Sequence, residues 1–365
     1  MTMPSPKSSR RSVGALLRRE AREFVTIKPS DRPWQFPLAV AVATGLPLLG
    51  GAAFDEMSLA SLAAIGAMTI VYVPRTTLPH RVAALMAVAF AMTLCAALGQ
   101  FSQLVPAARV PVVAIVAVVA TFACRYYRVV PPGSLFFVMA TAIGAYAPGE
   151  IGDVPARLGA FALGTMSAVL VGFLYSAHIL RLREPRPLPP RPSDLGTEAV
   201  ASLIIGVFVG LSLAAAELLS IEKPYWAPVS CLAVIQGLSL RAVWIRQFER
   251  IVGTMIGLGL TWALVTYAAD PWSIAVAIIV LNFCIETAIV RHYAFAAIFI
   301  TPLTILLAET SSIGQVSTSA LMSARLADTI VGCVAGLLGG VCLHSPAVRR
   351  VLINRLRGRK DETEG

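Results

Sequence analysis

The sequence predicts an all-α integral membrane protein of about twelve transmembrane helices, arranged as two parallel six-helix repeats with both termini cytoplasmic. Three observations predict it. The chain is 57% apolar and only 14% charged, against about 25% charged for a soluble domain, so too few charges remain to cover a soluble globule. Its apolar residues come in blocks such as Phe36–Ala53, Val82–Gly99 and Ile274–Ile289, close to the roughly 20 helical residues that cross a bilayer core. The basic residues are segregated: all but four of the 30 Lys and Arg fall on alternate connecting segments. Period-two alternation, the mark of a membrane β-barrel, is absent.

In chain order, residues 1–33 form a basic cytoplasmic tail. Ser9-Arg10-Arg11 resembles the opening of a twin-arginine export signal, but the first long apolar run begins only near Phe36, too late for one. Val13, Leu16, Leu17, Ala21 and Phe24 instead follow helical spacing among Arg18, Arg19 and Arg22. That pattern predicts an amphipathic helix lying on anionic lipid. The first repeat, 34–180, holds spans at about 34–52, 57–73, 82–105, 109–124, 134–148 and 156–179. Residues 181–197 carry Pro185, Pro187, Pro189, Pro190 and Pro192, which excludes a continuous helix and predicts a semi-rigid cytoplasmic linker. The second repeat, 198–344, holds spans at about 198–219, 225–240, 250–269, 271–289, 293–308 and 322–343. A basic tail, 345–365, repeats the amphipathic spacing with Val348, Val351, Leu352 and Leu356.

Orientation follows from charge. The tails and the segments holding Arg75/Arg81, Arg125/Arg128, Arg181–Arg191, Arg241–Arg250 and Arg291 carry the basic excess that marks the cytoplasmic side. The other set holds Arg109, Arg157, Lys223 and Arg325, among acids such as Glu150, Asp153 and Asp270. This distribution also turns the net charge of +10 away from nucleic acid, which is not expected as a partner. A repeat is visible within the chain. Ala156-Arg157-Leu158 recurs as Ala324-Arg325-Leu326, Gly164 and Gly172 recur as Gly332 and Gly340, and Arg81 corresponds to Arg250. Arg125-Tyr126-Tyr127 likewise resembles Arg291-His292-Tyr293.

Charges inside a membrane span are rare and expensive, so they are the first functional candidates. Asp328 lies within the last span, three residues after Arg325 and on the same helix face. The first repeat has Arg157 but Ala160 at the Asp328 position. An Arg325–Asp328 pair could equally fix the helix against its neighbours. Glu286, near the inner end of its span, reads as a proton-exchanging carboxylate or as a side chain snorkelling to the interface. Arg250 reads as a partner for an organic anion or as a positive-inside anchor. Gln236 could hydrogen-bond substrate or a neighbouring helix, and Thr301 flanks Pro302, a helix break of the kind that lines transporter sites. Pro37, Pro47 and Pro228 read as further breaks, and Tyr225-Trp226 as an interfacial aromatic belt. Gly253-x-x-x-Gly257 and Gly332-x-x-x-Gly336 predict close helix approach. All four histidines fall at expected helix ends. No P-loop, G-x-S-x-G, H-E-x-x-H or metal-ligand cluster occurs, and the six cysteines form no C-x-x-C pair. Neither an enzyme, a metal site nor a bound cofactor is expected.

Further motifs carry a resemblance. Lys223-Pro224-Tyr225-Trp226-Ala227-Pro228, then Arg250-Ile251-Val252-Gly253-Thr254-Met255-Ile256-Gly257, then Ile300-Thr301-Pro302-Leu303 and Arg325-Leu326-Ala327-Asp328-Thr329-Ile330-Val331-Gly332 stand in order. In this combination the second half, from about 198 to 344, resembles the fusaric acid resistance family of membrane proteins. The first half resembles it more faintly, lacking the Gly-Thr pair (Ala84-Leu85) and the Asp. The resemblance implies efflux of small aromatic or other organic acids across a bacterial inner membrane, coupled to proton influx. It marks Arg250, Gly253, Thr254, Arg325, Asp328 and Gly332 as motif residues without giving their roles. A passive organic-anion channel or uniporter, and a membrane scaffold that transports nothing, are the alternatives. A periplasmic adaptor or a homo-oligomer would complete the list of expected partners.

Overall fold

The computed structural model describes residues 29–129, 132–188, 190–192, 194–267, 270–308 and 318–346. Both expected amphipathic tail segments fall outside the described residues. Among those described there are twelve α-helices and no strand. The first half contains α1 (Gln35–Phe54), α2 (Met57–Ala67, continued as a 3-10 turn to Tyr72), α3 (Leu78–Phe101), α4 (Arg109–Tyr126), α5 (Leu135–Ala145) and α6 (Val154–Ile179). The second contains α7 (Leu195–Leu218), α8 (Trp226–Ile235), α9 (Leu240–Tyr267), α10 (Pro271–Ala288), α11 (Tyr293–Ala308) and α12 (Thr318–His344).

Twelve apolar segments became twelve helices, and among the described residues eight are long and apolar enough to cross a membrane. The shorter four, over the described residues, are α2, α5, α8 and α11, the second and fifth of each half. What surrounds them explains the difference. The long helices carry rows of exposed apolar side chains at helical spacing, such as Leu38, Val42 and Leu46 on α1, and Met86, Phe90 and Leu94 on α3. Others are Leu163, Met166 and Leu170 on α6, and Leu203, Val207 and Leu211 on α7. A continuous apolar exterior of this kind is stable against lipid, not water. Among the described residues no large apolar side chain is exposed on α2, α5 or α8, and only Phe295 on α11. These four are enclosed by protein, so hydrocarbon thickness does not set their length.

Local chemistry fixes several helix ends. Asp194 caps α7 by accepting from the amides of Gly196 and Thr197 at 3.1 and 3.3 Å, and Asp270 caps α10 by accepting from Trp272 at 3.0 Å. Two of the expected proline breaks are not breaks. Pro37 and Pro228 lie in the first turns of α1 and α8, where an amide has no intrahelical partner to lose. Pro47 and Pro302 do sit inside helices. Pro47 leaves the Ala43 carbonyl without its usual donor, and the Ser167 hydroxyl on α6 donates to it at 3.4 Å.

The expected glycine contacts form. A Cβ added at Gly332 would run into the Ala227 carbonyl oxygen, and one at Gly336 would lie 2.8 Å from that of Cys231. Gly253 likewise abuts Ala297, and Gly257 the Ile298 carbonyl. Residue numbers rise together across both contacts, so α12 runs parallel to α8, and α11 to α9. The first half repeats these pairings: α6 packs on α2, with Gly164 against Ala63, and α5 on α3, with Gly99 against Thr141. The halves join through α1 against α10 and α4 against α7. Gly332→Val should lower stability by about 1–3 kcal/mol, because the obstacle is backbone and the helices must part. Gly259→Ala, with open space around the glycine, should not; equal melting temperatures for the two variants in detergent would remove the seam from the account.

The loops gather at two opposite ends. At one, Asp31 pairs with Arg75 at 2.7 Å and Arg186 at 2.6 Å, and Arg191 donates to the Tyr126 hydroxyl. This is the basic end, and the proline-rich segment is tied down there. Hydrogen bonds from Arg75, then Arg186, hold the Asp31 carboxyl at about 2. A depressed carboxyl contributes above its ordinary range and loses that contribution only as the pH falls through its folded value, so this clamp persists at neutral pH. At the other end, Tyr146 donates to Glu217, and Arg109 lies over the Tyr146 ring at 4.9 Å.

Candidate functional site

The rare membrane charges of the second half converge on α8. Arg325 enters from α12 and lays its guanidinium 4.0 Å over the Trp226 ring, a favourable cation–π geometry that is strengthened by exclusion of water. Arg250 enters from α9 and donates to the Ser230 hydroxyl at 3.4 Å, one turn further along α8. Gly332 closes the space between them by packing on Ala227 and Ser230. Asp328 lies between Arg325 and Gly332 and is 0% exposed, and neither of its carboxylate oxygens has a hydrogen-bond partner among the described residues. A buried ionised carboxylate needs a countercharge or a proton. Arg325, one turn away on the same face, can supply the first. Both groups lie in a water-poor interior, Asp328 at 0% and Arg325 at 2% exposure. A cavity of about 10 Å³ bordered by Lys223, Trp226, Ile305, Leu321 and Arg325 has room for about one water beside Arg325.

Two placements differ from the sequence reading. Tyr225 and Trp226 are 5% and 2% exposed; they face protein rather than the lipid interface, because α8 is enclosed. Arg250 does not open its helix. No glycine or proline interrupts 240–250, so α9 already begins at Leu240 and Arg250 falls in its third turn, 3% exposed.

The remaining candidates lie apart from this cluster. Glu286 is 8% exposed and accepts from Arg32 at 2.6 Å, a residue from the segment leading into α1. Arg32 also stacks 4.6 Å over the Phe36 ring. Thr301 bonds its own helix at the Ala297 carbonyl and packs on Gly257. Arg157 wraps the turn before α6, donating to the carbonyls of Pro148 and Glu150.

Gln236 belongs to a second site. At the basic end a vestibule of about 380 Å³ opens between the halves, bounded by the ends of α4, α8 and α12 and the starts of α5 and α7. Gln236 donates to the Ser134 hydroxyl at 3.4 Å, and Ser134 bonds Thr121 at 2.7 Å. Arg125 donates through Nε to Glu198 at 2.5 Å, joining α4 to α7. Arg128 stands on the rim with φ 56°. There α4 ends in a motif that normally uses glycine: the Val129 amide bonds the Cys124 carbonyl at 2.8 Å and the Arg128 amide that of Arg125 at 3.3 Å. A non-glycine residue in this left-handed position costs about 1–2 kcal/mol. Sequence reasoning missed Ser134, Glu198 and Arg128, since nothing local marks a contact between residues 73 positions apart or a positive φ at an arginine.

Comparison with known proteins bears on the α8 cluster. Residues 209–339 match the model of the fusaric acid resistance protein-like family. Over these residues the chain is similar to that family. The matched segment contains Trp226, Ser230, Arg250, Arg325 and Asp328, so the convergent charges lie within the fusaric acid resistance-like part. A further relative is an uncharacterized membrane protein, YvaC, of Bacillus subtilis strain 168, 34% identical over 145 residues. That alignment covers 39% of this chain and 23% of the relative, so the chain spans under a quarter of that protein's length. No solved structure matches the chain. The chain is thus a multi-pass membrane protein, helical among the described residues, in which residues 209–339 are similar to the fusaric acid resistance protein-like family.

Proposed function

We propose that the protein is a proton-coupled exporter of small organic acids, aromatic carboxylates foremost, in a bacterial inner membrane. The observation that carries the reading is Asp328: a fully buried carboxyl with neither oxygen hydrogen-bonded, one turn from an arginine, inside a bundle of apolar helices. Intramembrane carboxyls of this kind serve as proton relays in pumps and transporters. The family likeness supplies the organic-acid class by analogy.

The architecture we propose is two parallel six-helix repeats with cytoplasmic termini. It is supported by the same order of long and short helices in each half and by the matching pairs α2–α6 with α8–α12, and α3–α5 with α9–α11. It is also supported by the reciprocal seams α1–α10 and α4–α7. Asp328 without an acidic counterpart at Ala160 gives the halves different tasks: the second moves the proton, and both enclose the vestibule.

Uptake of labelled benzoate into inverted vesicles tests the function. The exporter accumulates benzoate only while a pH gradient is imposed. A channel passes it equally after the gradient is collapsed. A scaffold shows no uptake, and that reading expects tight helix packing with no polar cavity around Asp328 and Gln236.

A further inference from the structure

We propose that the vestibule at the basic end is a binding site for a small organic monocarboxylate, in which the ligand displaces Glu198 from Arg125 and is held by Arg125 and Arg128 together. The inference rests on the exporter reading only in treating the bound carboxylate as cargo.

Size and lining set the ligand class. About 380 Å³ falls within the roughly 300–1,000 Å³ of small-molecule sites. Val129, Ile205 and Ile235 supply apolar wall, while Thr121, Ser134 and Gln236 supply hydroxyls and an amide. A ligand with an apolar body and one polar head matches that lining.

Charge sets the head group. The site already holds a carboxylate, its own: Glu198, with a side chain 12% exposed, sits on the Arg125 guanidinium. A guanidinium presents five N–H donors in a fork matched to carboxylate oxygens, and the Glu198 contact uses only Nε. Arg128 lines the same space and has no ion-pair partner among the described residues. Two guanidiniums against one carboxylate leave one positive charge unmatched, room for a single monoanion.

Backbone geometry is the independent observation. Arg128 holds a left-handed conformation that glycine would adopt freely. An arginine kept at a position that disfavours it indicates a use for its side chain. Displacement also has a structural consequence, because Arg125–Glu198 bridges α4 and α7 across the seam between halves. An incoming carboxylate that takes Arg125 releases that bridge at the end where the vestibule opens.

The test uses the full chain in detergent micelles, with benzoate as probe and benzamide as its uncharged analogue, followed by calorimetry. Wild type should bind benzoate and not benzamide. Glu198→Gln, which removes the competing carboxylate, should tighten benzoate by about tenfold, and Arg125→Gln should weaken it by about tenfold. Arg128→Gly is the decisive variant: it should weaken benzoate by a similar factor while raising the melting temperature, so lost binding cannot be ascribed to misfolding. Benzoate affinity unchanged in Arg128→Gly, or unchanged or weaker in Glu198→Gln, overturns the site. If wild type accumulates benzoate in vesicles and all three variants do so equally, the site is wrong and the exporter reading stands. If binding follows the expected pattern but no carboxylate crosses the membrane, the site stands and the exporter reading fails.

Discussion

Asp328→Asn should reduce pH-driven accumulation of benzoate in inverted vesicles by more than about tenfold, while exchange of labelled for unlabelled benzoate across the same membrane persists. Exchange needs the substrate path and the conformational change but no net proton movement; uphill accumulation needs both and the proton. The variant is nearly isosteric, and neither oxygen of Asp328 has a hydrogen bond to lose, so the helix contacts beside Gly332 stay in place. Arg325 retains the Trp226 ring beneath it. A variant that accumulates benzoate like wild type would remove Asp328 from coupling. One that loses exchange as well would make it part of the substrate path or of the fold. Ala160→Asp, which places an acid at the matching position of the first half, should not restore accumulation to Asp328→Asn, because Arg157 there is engaged with the turn before α6.

The largest loss of stability should follow Arg32→Ala. This change strands Glu286, 8% exposed, without the guanidinium 2.6 Å away, and breaking a buried pair from one side costs about 3–5 kcal/mol. Replacing both members by apolar residues, as in Arg32→Met with Glu286→Leu, should recover most of that loss, since no charge is then left uncompensated. Glu286→Leu alone should cost less than Arg32→Ala, because the Arg32 side chain, 17% exposed, is nearer to water. Thermal unfolding in detergent reads all three, and single variants that melt with wild type would show the pair to be incidental. The location gives the pair its weight. Arg32 leads into α1 and Glu286 closes α10, so it latches one seam between halves as Arg125–Glu198 latches the other. The polarity is the same at both: the first half gives an arginine to each seam and the second half a glutamate.

Much of the fold was legible because its signal is local. Each apolar segment became a helix, and the loops divided by basic charge meet at opposite ends. Helix length was not legible, because hydropathy reports that a side chain avoids water, not whether its neighbour is lipid or protein. Trp226 shows the difference: an aromatic opening an apolar run reads as an interfacial belt, yet it faces an arginine from α12. Arg250 was placed at a helix start because charge marks the end of an apolar run, whereas the backbone continues wherever nothing breaks it. In the cluster around α8, Asp328, Arg325 and Arg250 were visible as isolated charges, since a charge in an apolar span is conspicuous by itself. The seam pairs were invisible, as Arg32 and Glu286 are 254 positions apart.

The enclosed helices also constrain how the protein is made. A ten-residue segment such as α8 cannot cross the hydrocarbon of a bilayer by itself, so it has no stable position when it first leaves the insertion machinery. It must wait, held between α7 and α9, until α12 has been synthesised, about 90 residues later. During that interval Trp226 lacks the Arg325 guanidinium that covers its ring in the folded protein. Biogenesis of each half is therefore completed by its sixth helix, and α12, which carries Asp328, is the last of the twelve helices to be synthesised.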